Sequence, residues 1–495
     1  MKGLELNFSG SRFFLIGIKG TGMSTLAVIL KRAGAEVTGC DSPEVFPTDQ
    51  VLIDEKVPFL SGFGAENLDM KADYAVYSDA FSPSSCPVLA AAKAVPAIKL
   101  FSYPQFLAFL SESCRTYAVA GTHGKTTTTA AAAYLLSQDS RKSFPFFAVF
   151  GSELNGRGPV FQGTDEMLIE ACEYRDHFLS YKVRGALVTS IEMDHPDWFA
   201  DEEAVFQSFS KLAMGIEKGG FLILCVDSPR VKSLCSWISR NRRDLVIVEY
   251  GFTAHGPFRI RHGYSIDLLQ YRSFNFEAQA REIIADYFGA AILASSILLD
   301  RPDPKLYFDG TELISDEILG TLIGSMMKQM ESFPGVHSRG EEVASEGGVV
   351  YIDDYAHHPT EIRVCLENLR LRYPAMAIVV AFCPHTYSRT AALMDGFISS
   401  LSLADIVVVQ KTCQSARGET AEHDNARDLA SRLENQALRR AHGHLESAVY
   451  IEYDEDAASY LASALDSGGV CVSLGAGNNR HLLEMIRIKR RREAE

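Results

Sequence analysis

The segment Gly121-Thr-His-Gly124-Lys125-Thr126 constrains this chain more than any other stretch. An apolar run before it, Thr116 to Ala120, reads as a strand. The stretch after it, Thr126 to Ser137, is rich in Ala and Leu and reads as a helix. A strand that passes through glycines into a helix N-terminus lets backbone N–H groups close round phosphate oxygens, helped by the partial positive charge of the helix end. Lys125 can reach a terminal phosphate, and the Thr126 hydroxyl can ligate Mg²⁺. The general pattern GxxxxGK[ST] would put glycine at 119, where Val119 stands; the shorter GxxGKT core is complete. Gly121, Thr122, His123, Gly124, Lys125, Thr126 and Thr127 are therefore the expected nucleotide-phosphate segment.

The rest of the chain repeats the strand-then-helix rhythm, the pattern of parallel α/β domains. With 495 residues, about three domains are expected. Strands are predicted at 13–18, 36–40 and 74–77, then at 116–120, 167–169, 186–190 and 220–226. Others are predicted at 349–352, 377–382, 406–410 and 470–474. Helices are expected over 23–32, around 106–111, over 126–137 and over 290–299. Arg301 to Pro304 is punctuated by prolines, and Ser332-Phe-Pro-Gly335 reads as a hinge. Each strand ends in a polar loop, and in open α/β sheets such carboxyl ends line the ligand crevice.

Composition narrows the function. Forty-eight basic against 63 acidic residues give a net charge of −15, which argues against a broad polyphosphate-binding surface but not against a local nucleotide site. No nucleic-acid partner is expected. No apolar run reaches the roughly 18 residues of a membrane helix, and the N-terminus does not read as a signal peptide, so no membrane insertion and a cytoplasmic address are expected. Ten cysteines stand singly, none in a CxxC pair, and are expected to be reduced core thiols.

Five further clusters carry candidate site residues. Gly17-Ile-Lys-Gly20-Thr-Gly22 follows a strand and opens a helix, with Asp41 at the end of the next strand. It reads either as a nucleotide or sugar-nucleotide site or as a plain tight turn. Its glycine spacing is not that of a nicotinamide dehydrogenase. Glu170-Ala-Cys-Glu173 and Ile191-Glu-Met-Asp194-His195 follow strand ends and read either as metal ligands beside phosphates or as polar turns. Asp353-Asp-Tyr-Ala-His-His-Pro359 reads as a site or as a capped helix start. Pro384-His385-Thr-Tyr-Ser-Arg389 could hold an anion or carboxylate through Arg389. The basic tail Lys489–Arg492 suits the solvated end of a helix.

Taken together, GTHGKTTTT, EACE, DH, DDYAHHPTE and PHTYSRT resemble the Mur ligase family in order and spacing, across nearly the whole chain. The resemblance implies an α/β protein of three domains. These are a Rossmann-like UDP-sugar domain over 1–112, a central P-loop ATPase-like domain over 113–332, and a Rossmann-like amino-acid-binding domain over 333–495. It implies an ATP- and Mg²⁺-dependent ligase, monomeric or homodimeric, that joins L-alanine to the lactyl carboxylate of UDP-N-acetylmuramate in peptidoglycan precursor synthesis. A tripeptide-recycling ligase and a catalytically weakened UDP-sugar-binding homologue are the alternatives. The implied catalytic residues are Lys125, Glu173, His195, Asp353 and Arg389, with Thr126, Glu173 and His195 at the metal. Gly17, Gly20, Gly22, Asp41, His385 and Arg389 would contact substrates. The sequence departs from the family at the adenine region, which reads Arg281-Glu282 and Asp286-Tyr287. It departs also at Ser190, at Ser338-Arg339 and at Gly475-Ala-Gly-Asn478.

Overall fold

Every apolar run predicted as a strand forms one, and each is flanked on both sides by other strands. In the computed structural model, residues 8–138, 145–155, 158–261, 279–300, 316–413, 424–439, 444–475 and 479–494 are described. The first sheet comprises β1 (Arg12–Ile16), β2 (Glu36–Asp41), β3 (Phe59–Ser61), β4 (Tyr74–Tyr77) and β5 (Lys99–Ser102), all parallel in the order β3-β2-β1-β4-β5. The second comprises β6 (Arg115–Ala120), β7 (Phe146–Val149), β8 (Glu166–Glu170), β9 (Gly185–Val188), β10 (Phe221–Cys225) and β11 (Val246–Tyr250), parallel in the order β11-β10-β9-β6-β8-β7. The third comprises β12 (Glu341–Glu346), β13 (Val349–Asp354), β14 (Ile378–Cys383), β15 (Ile406–Val409), β16 (Ser447–Tyr450) and β17 (Gly469–Gly475). Its order is β12-β13-β17-β14-β15-β16, and only β12 is antiparallel.

Parallel sheets need helices on both faces, so their inner strands are apolar on both sides. The third sheet shows the resulting period of two. Val350 and Ile352 pack with Leu366, Phe382 and Leu401 on one face. Val349 and Tyr351 pack with Leu461, Leu483 and Ile486 on the other.

The chain divides into two compact units. One is Met1–Met193, Asp201–Asn275 and Ala285–Pro334; the other is Asp194–Ala200, Phe276–Ile284 and Gly335–Glu495. The first unit carries the first two sheets. Arg32, on the helix Thr21–Arg32, pairs with Glu55 at 2.5 Å and donates to the Pro159 carbonyl at 2.7 Å, tying the first sheet's layer to the loop beside β7.

The helix predicted over 290–299 runs over Arg281–Leu299. It is long and apolar enough to cross a bilayer, but 72% of its most apolar window is buried inside the protein. One expectation needs correction. Cys383 and Cys413 are joined as a disulfide, while the other eight cysteines are free. Parallel strands β14 and β15 end side by side, so two cysteines 30 residues apart in sequence meet. The basic tail ends the helix Asn479–Ala494, with Arg491 and Arg492 exposed in its last turn, Arg491 bound to Glu346 and Arg490 donating to the Ala462 carbonyl. Residues 301–304 and 476–478, for which a proline-rich stretch and a variant glycine motif were noted, lie outside the described residues.

Candidate active site

The loop after β6 is stitched to the exit of β9. Gly121 has φ +142°, and a Cβ there would run into the Thr189 hydroxyl, so glycine is required. Thr122 N–H donates to the Ser190 carbonyl at 2.9 Å and His123 N–H to the Ser190 hydroxyl at 2.9 Å. Glu192 N–H donates to the Thr122 hydroxyl at 2.9 Å. Ser190 thus serves as an acceptor holding the loop. Gly124, at φ +79°, caps the helix Lys125–Ser137; a Cβ on it would sit 2.6 Å from both carboxylate oxygens of Asp286.

Lys125 folds back over this turn. Its ammonium donates to the Gly121 and Thr122 carbonyls, at 2.5 and 3.0 Å, and to Glu173 at 3.0 Å. Burial alone would depress its pKa, but the charges of Glu173 and Glu170 outweigh burial and hold it above the ordinary lysine value. Glu173 itself is 1% exposed. In the next residue, the Thr126 hydroxyl donates to Glu170 at 2.8 Å, and the other Glu170 oxygen accepts from Gly151 N–H at 2.7 Å. Thr127 lies partly exposed on the same first turn. A helix N-terminus, a lysine, a hydroxyl and two carboxylates are therefore gathered at the carboxyl end of one sheet. Thr126, Glu170 and Glu173 offer oxygen donors only, which is the chemistry Mg²⁺ prefers. Glu170 was not among the expected site residues, although it lies in the same EACE motif. Its signal was position: it is the last residue of its strand.

The first glycine loop is built differently. Gly17, at φ +82°, turns the chain out of β1, and Gly17 N–H donates to the Cys40 carbonyl at 2.9 Å. A Cβ on Gly17 would press on Phe81 at 2.7 Å, and one on Gly22 on the Tyr103 hydroxyl at 2.6 Å, whereas Gly20 has room. Asp41 is buried, and its two oxygens take Lys19 N–H and Ser42 N–H, both at 2.7 Å. Burial raises its pKa, and those two amide bonds pull it partly back. The Lys19 ammonium is buried too. It binds the Glu44 carbonyl at 2.6 Å and Asp49 at 3.1 Å, between the rings of Phe46 and Phe59.

The second unit gathers the other expected residues. Asp194 and Arg389 form a buried pair, with Nε and Nη2 of Arg389 at 3.0 and 2.9 Å from Asp194 Oδ1. Burial would raise the Asp194 pKa, but His195, Arg389, His358 and His357 hold it well below the usual carboxylate range. His195 follows directly, at φ +53°, with Nε2 3.7 Å from Asp194 Oδ2. Arg389 is oriented from the helix Tyr387–Ala392, capped by the Thr386 hydroxyl. Asp353, 3% exposed, accepts from the Ser338 hydroxyl at 2.6 Å and the Ser473 hydroxyl at 3.2 Å, with Arg480 3.5 Å away. The segment after it is both a site candidate and a capped helix start, since His358 accepts from Thr360 N–H at the head of the helix Pro359–Arg372. Burial depresses the neighbouring His357, as does the Arg389 charge, against the pull of Glu361.

Parallel α/β sheets with a glycine loop, a lysine and carboxylates at a helix N-terminus define a nucleotide-phosphate enzyme of the P-loop type. Comparison with known proteins narrows this. Residues 13–115 match the model described as the Mur ligase family catalytic domain, 119–285 the Mur ligase middle domain, and 338–477 the Mur ligase glutamate ligase domain. The chain is 32% identical over 488 residues to UDP-N-acetylmuramate–L-alanine ligase of Treponema pallidum, covering 98% of this chain and 97% of the relative. It is 34% identical over 465 residues to the ligase of the same name from Desulfitobacterium hafniense, covering 94% and 96%. Its fold matches the crystal structure of UDP-N-acetylmuramate–alanine ligase of Thermotoga maritima at TM-score 0.70 and 19% identity, over 98% of this chain and all of that one. A murein peptide ligase of Psychrobacter arcticus matches at TM-score 0.65 and 18% identity, over 97% and 98%. The chain belongs to the Mur ligase family.

Proposed function

We propose that this protein joins L-alanine to the lactyl carboxylate of UDP-N-acetylmuramate at the expense of ATP, in the cytoplasmic stage of peptidoglycan precursor synthesis. The observation that carries this reading is the Lys125 ammonium held over the glycine turn against Glu173, beside the Thr126–Glu170 pair. The full-length relatives named for the alanine reaction favour it over tripeptide recycling.

A free carboxylate is a poor acyl donor. In this reading its oxygen attacks the γ-phosphorus of ATP in line, ADP leaves, and an acyl phosphate forms. The alanine amine then attacks the acyl carbon, phosphate leaves, and the amine proton is lost. The amides of Gly121 to Thr126 cradle the phosphates, and Lys125 exchanges its two carbonyl partners for phosphate oxygens. Mg²⁺, when bound, neutralises charge on the phosphates; Thr126, Glu170 and Glu173 would hold it, with His195 as the family's further candidate. Gly17, Gly20 and Gly22 with Asp41 serve the sugar nucleotide, and Asp41 acts by shaping the loop. His385 and Arg389 serve the amino acid, and Asp353 anchors the segment next to the hinge. Domain limits of 1–112, 113–332 and 333–495 belong to the same proposal. In the altered adenine region, Glu282 is committed to Arg363 at 2.7 Å and Asp286 packs on Gly124.

Phosphate release tests the reading. Release should require ATP, UDP-N-acetylmuramate and an amino acid together, with alanine preferred over glycine, serine and the tripeptide. Equal release without the sugar nucleotide, or from Lys125→Ala, would reject it.

A further inference from the structure

We propose that Asp194 is a positioning residue for the amino-acid end of the site. It holds the Arg389 guanidinium in one orientation and, through it, decides which nitrogen of His385 carries the proton. The part of this inference that concerns the amino acid rests on the function proposed above.

Three N–H groups converge on a single oxygen. Asp194 Oδ1 accepts from Arg389 Nε at 3.0 Å, from Arg389 Nη2 at 2.9 Å and from His195 N–H at 2.7 Å. Both side chains are nearly out of solvent, Arg389 at 6% and Asp194 at 9% exposure. The Nε–Nη2 edge of the planar guanidinium is thereby fixed, which sets the direction of Nη1. Nη1 lies 3.4 Å from His385 Nδ1. A guanidinium has donors only and does not deprotonate, so Nδ1 must be the acceptor. The His385 proton is then on Nε2. The ring is further bounded by His357, edge-on at 5.6 Å.

Two observations separate this from a merely structural ion pair. A buried pair contributes little net stability compared with apolar residues of the same size, so stability alone does not explain it. Both partners also stand next to left-handed backbone: His195 at φ +53° follows Asp194, and Thr386 at φ +65° caps the turn that carries Arg389. Non-glycine residues in that region cost energy and cluster where geometry serves a site.

The test uses the full-length protein and two readouts. Long-range ¹H–¹⁵N correlation spectra at pH 8 report histidine tautomers, with His385 assigned through His385→Gln. His385 is expected as a single Nε2–H tautomer in the wild type and as a mixture in Asp194→Asn. In steady-state kinetics, Asp194→Asn should raise KM for alanine by about tenfold while KM for ATP stays within about twofold, and Asp194→Glu should recover part of the loss. Arg389→Lys is the second variant in case Asp194→Asn does not fold: one ammonium cannot hold Asp194 and His385 together, so the tautomer should again become mixed. An Nδ1–H tautomer in the wild type, an unchanged single tautomer in these variants, or a loss confined to kcat would overturn the proposal. A wild type that released no phosphate with any acceptor would defeat the function proposed above instead, and the spectra would still decide the tautomer.

Discussion

The two glycine loops of the first unit look alike in outline and differ in what their lysines do. Each leaves the central region of a parallel sheet, turns on glycines at positive φ and enters a helix. After β1, Lys19 is pulled outward from the turn to Glu44 and Asp49, and Asp41 takes up two amides of the turn and its neighbour. After β6, Lys125 bends inward over its own carbonyls, facing Glu173. The first lysine braces a loop, and the second covers its own turn, where the proposed reaction would place a phosphate. A glycine-rich strand–helix turn does not by itself define a catalytic phosphate site; the partner of its lysine does.

The comparison can be broken in several ways. The largest effect should come from Lys125→Ala. Loss of charge opposite the transferring phosphoryl group should lower kcat by about 10³-fold, read by phosphate release at a temperature where the variant stays folded. If Lys19→Ala lowered kcat as much, the two loops would share one role. Next, Gly121→Ala should destabilise the protein by about 3 kcal/mol, because its Cβ meets Thr189 at a left-handed φ. Gly20→Ala, at φ −58° and with the nearest atom 3.4 Å away, should stay within about 1 kcal/mol. Chemical denaturation would measure both, and equal costs would contradict the packing described.

Lys19→Met should cost about 2 kcal/mol by leaving Asp49 without its buried partner, while kcat at saturating substrate is kept. The smallest effect concerns pH. Because the Lys125 pKa is raised in the folded state, its stabilisation is complete below the ordinary lysine value and is lost only as pH rises through the raised one. The melting-temperature difference between wild type and Lys125→Met should therefore be flat from pH 7 to 10 and shrink above about 10.5. A rise in the wild type's relative stability between about pH 8 and 10.5 would mean that burial, not Glu173, dominates the lysine.

What was legible in the residues follows burial. The inner strands of all three sheets stood out as apolar runs, because a strand covered on both faces has no polar side to show. The edge strands β3, β5, β7, β11, β12 and β16 did not. Most are half-exposed, as in the pattern of β12, and their residues resemble loops. β7 is the exception: buried throughout, but only four residues long. Of the candidate site residues, Lys125 and Thr126 stood out because a phosphate loop has a fixed local spacing, whereas Glu173, 48 residues from Lys125, was singled out only by the family resemblance. Glu170 was visible only as part of a motif, and the bond between Asp194 and Arg389 spans 195 residues, a separation no local pattern encodes. The Cys383–Cys413 link escaped notice for the same reason.

The sequence by itself determined the α/β class, the glycine turn between β6 and its helix, and the family, since each rests on local periodicity or on short spacings that survive without coordinates. Only the tertiary structure decided which way each loop lysine faces, that Asp41 braces backbone amides, and that Asp194 orients Arg389. Those outcomes depend on where strand ends come to lie side by side. Parallel packing brings together residues far apart in the chain, and burial then leaves each charged group little choice of partner.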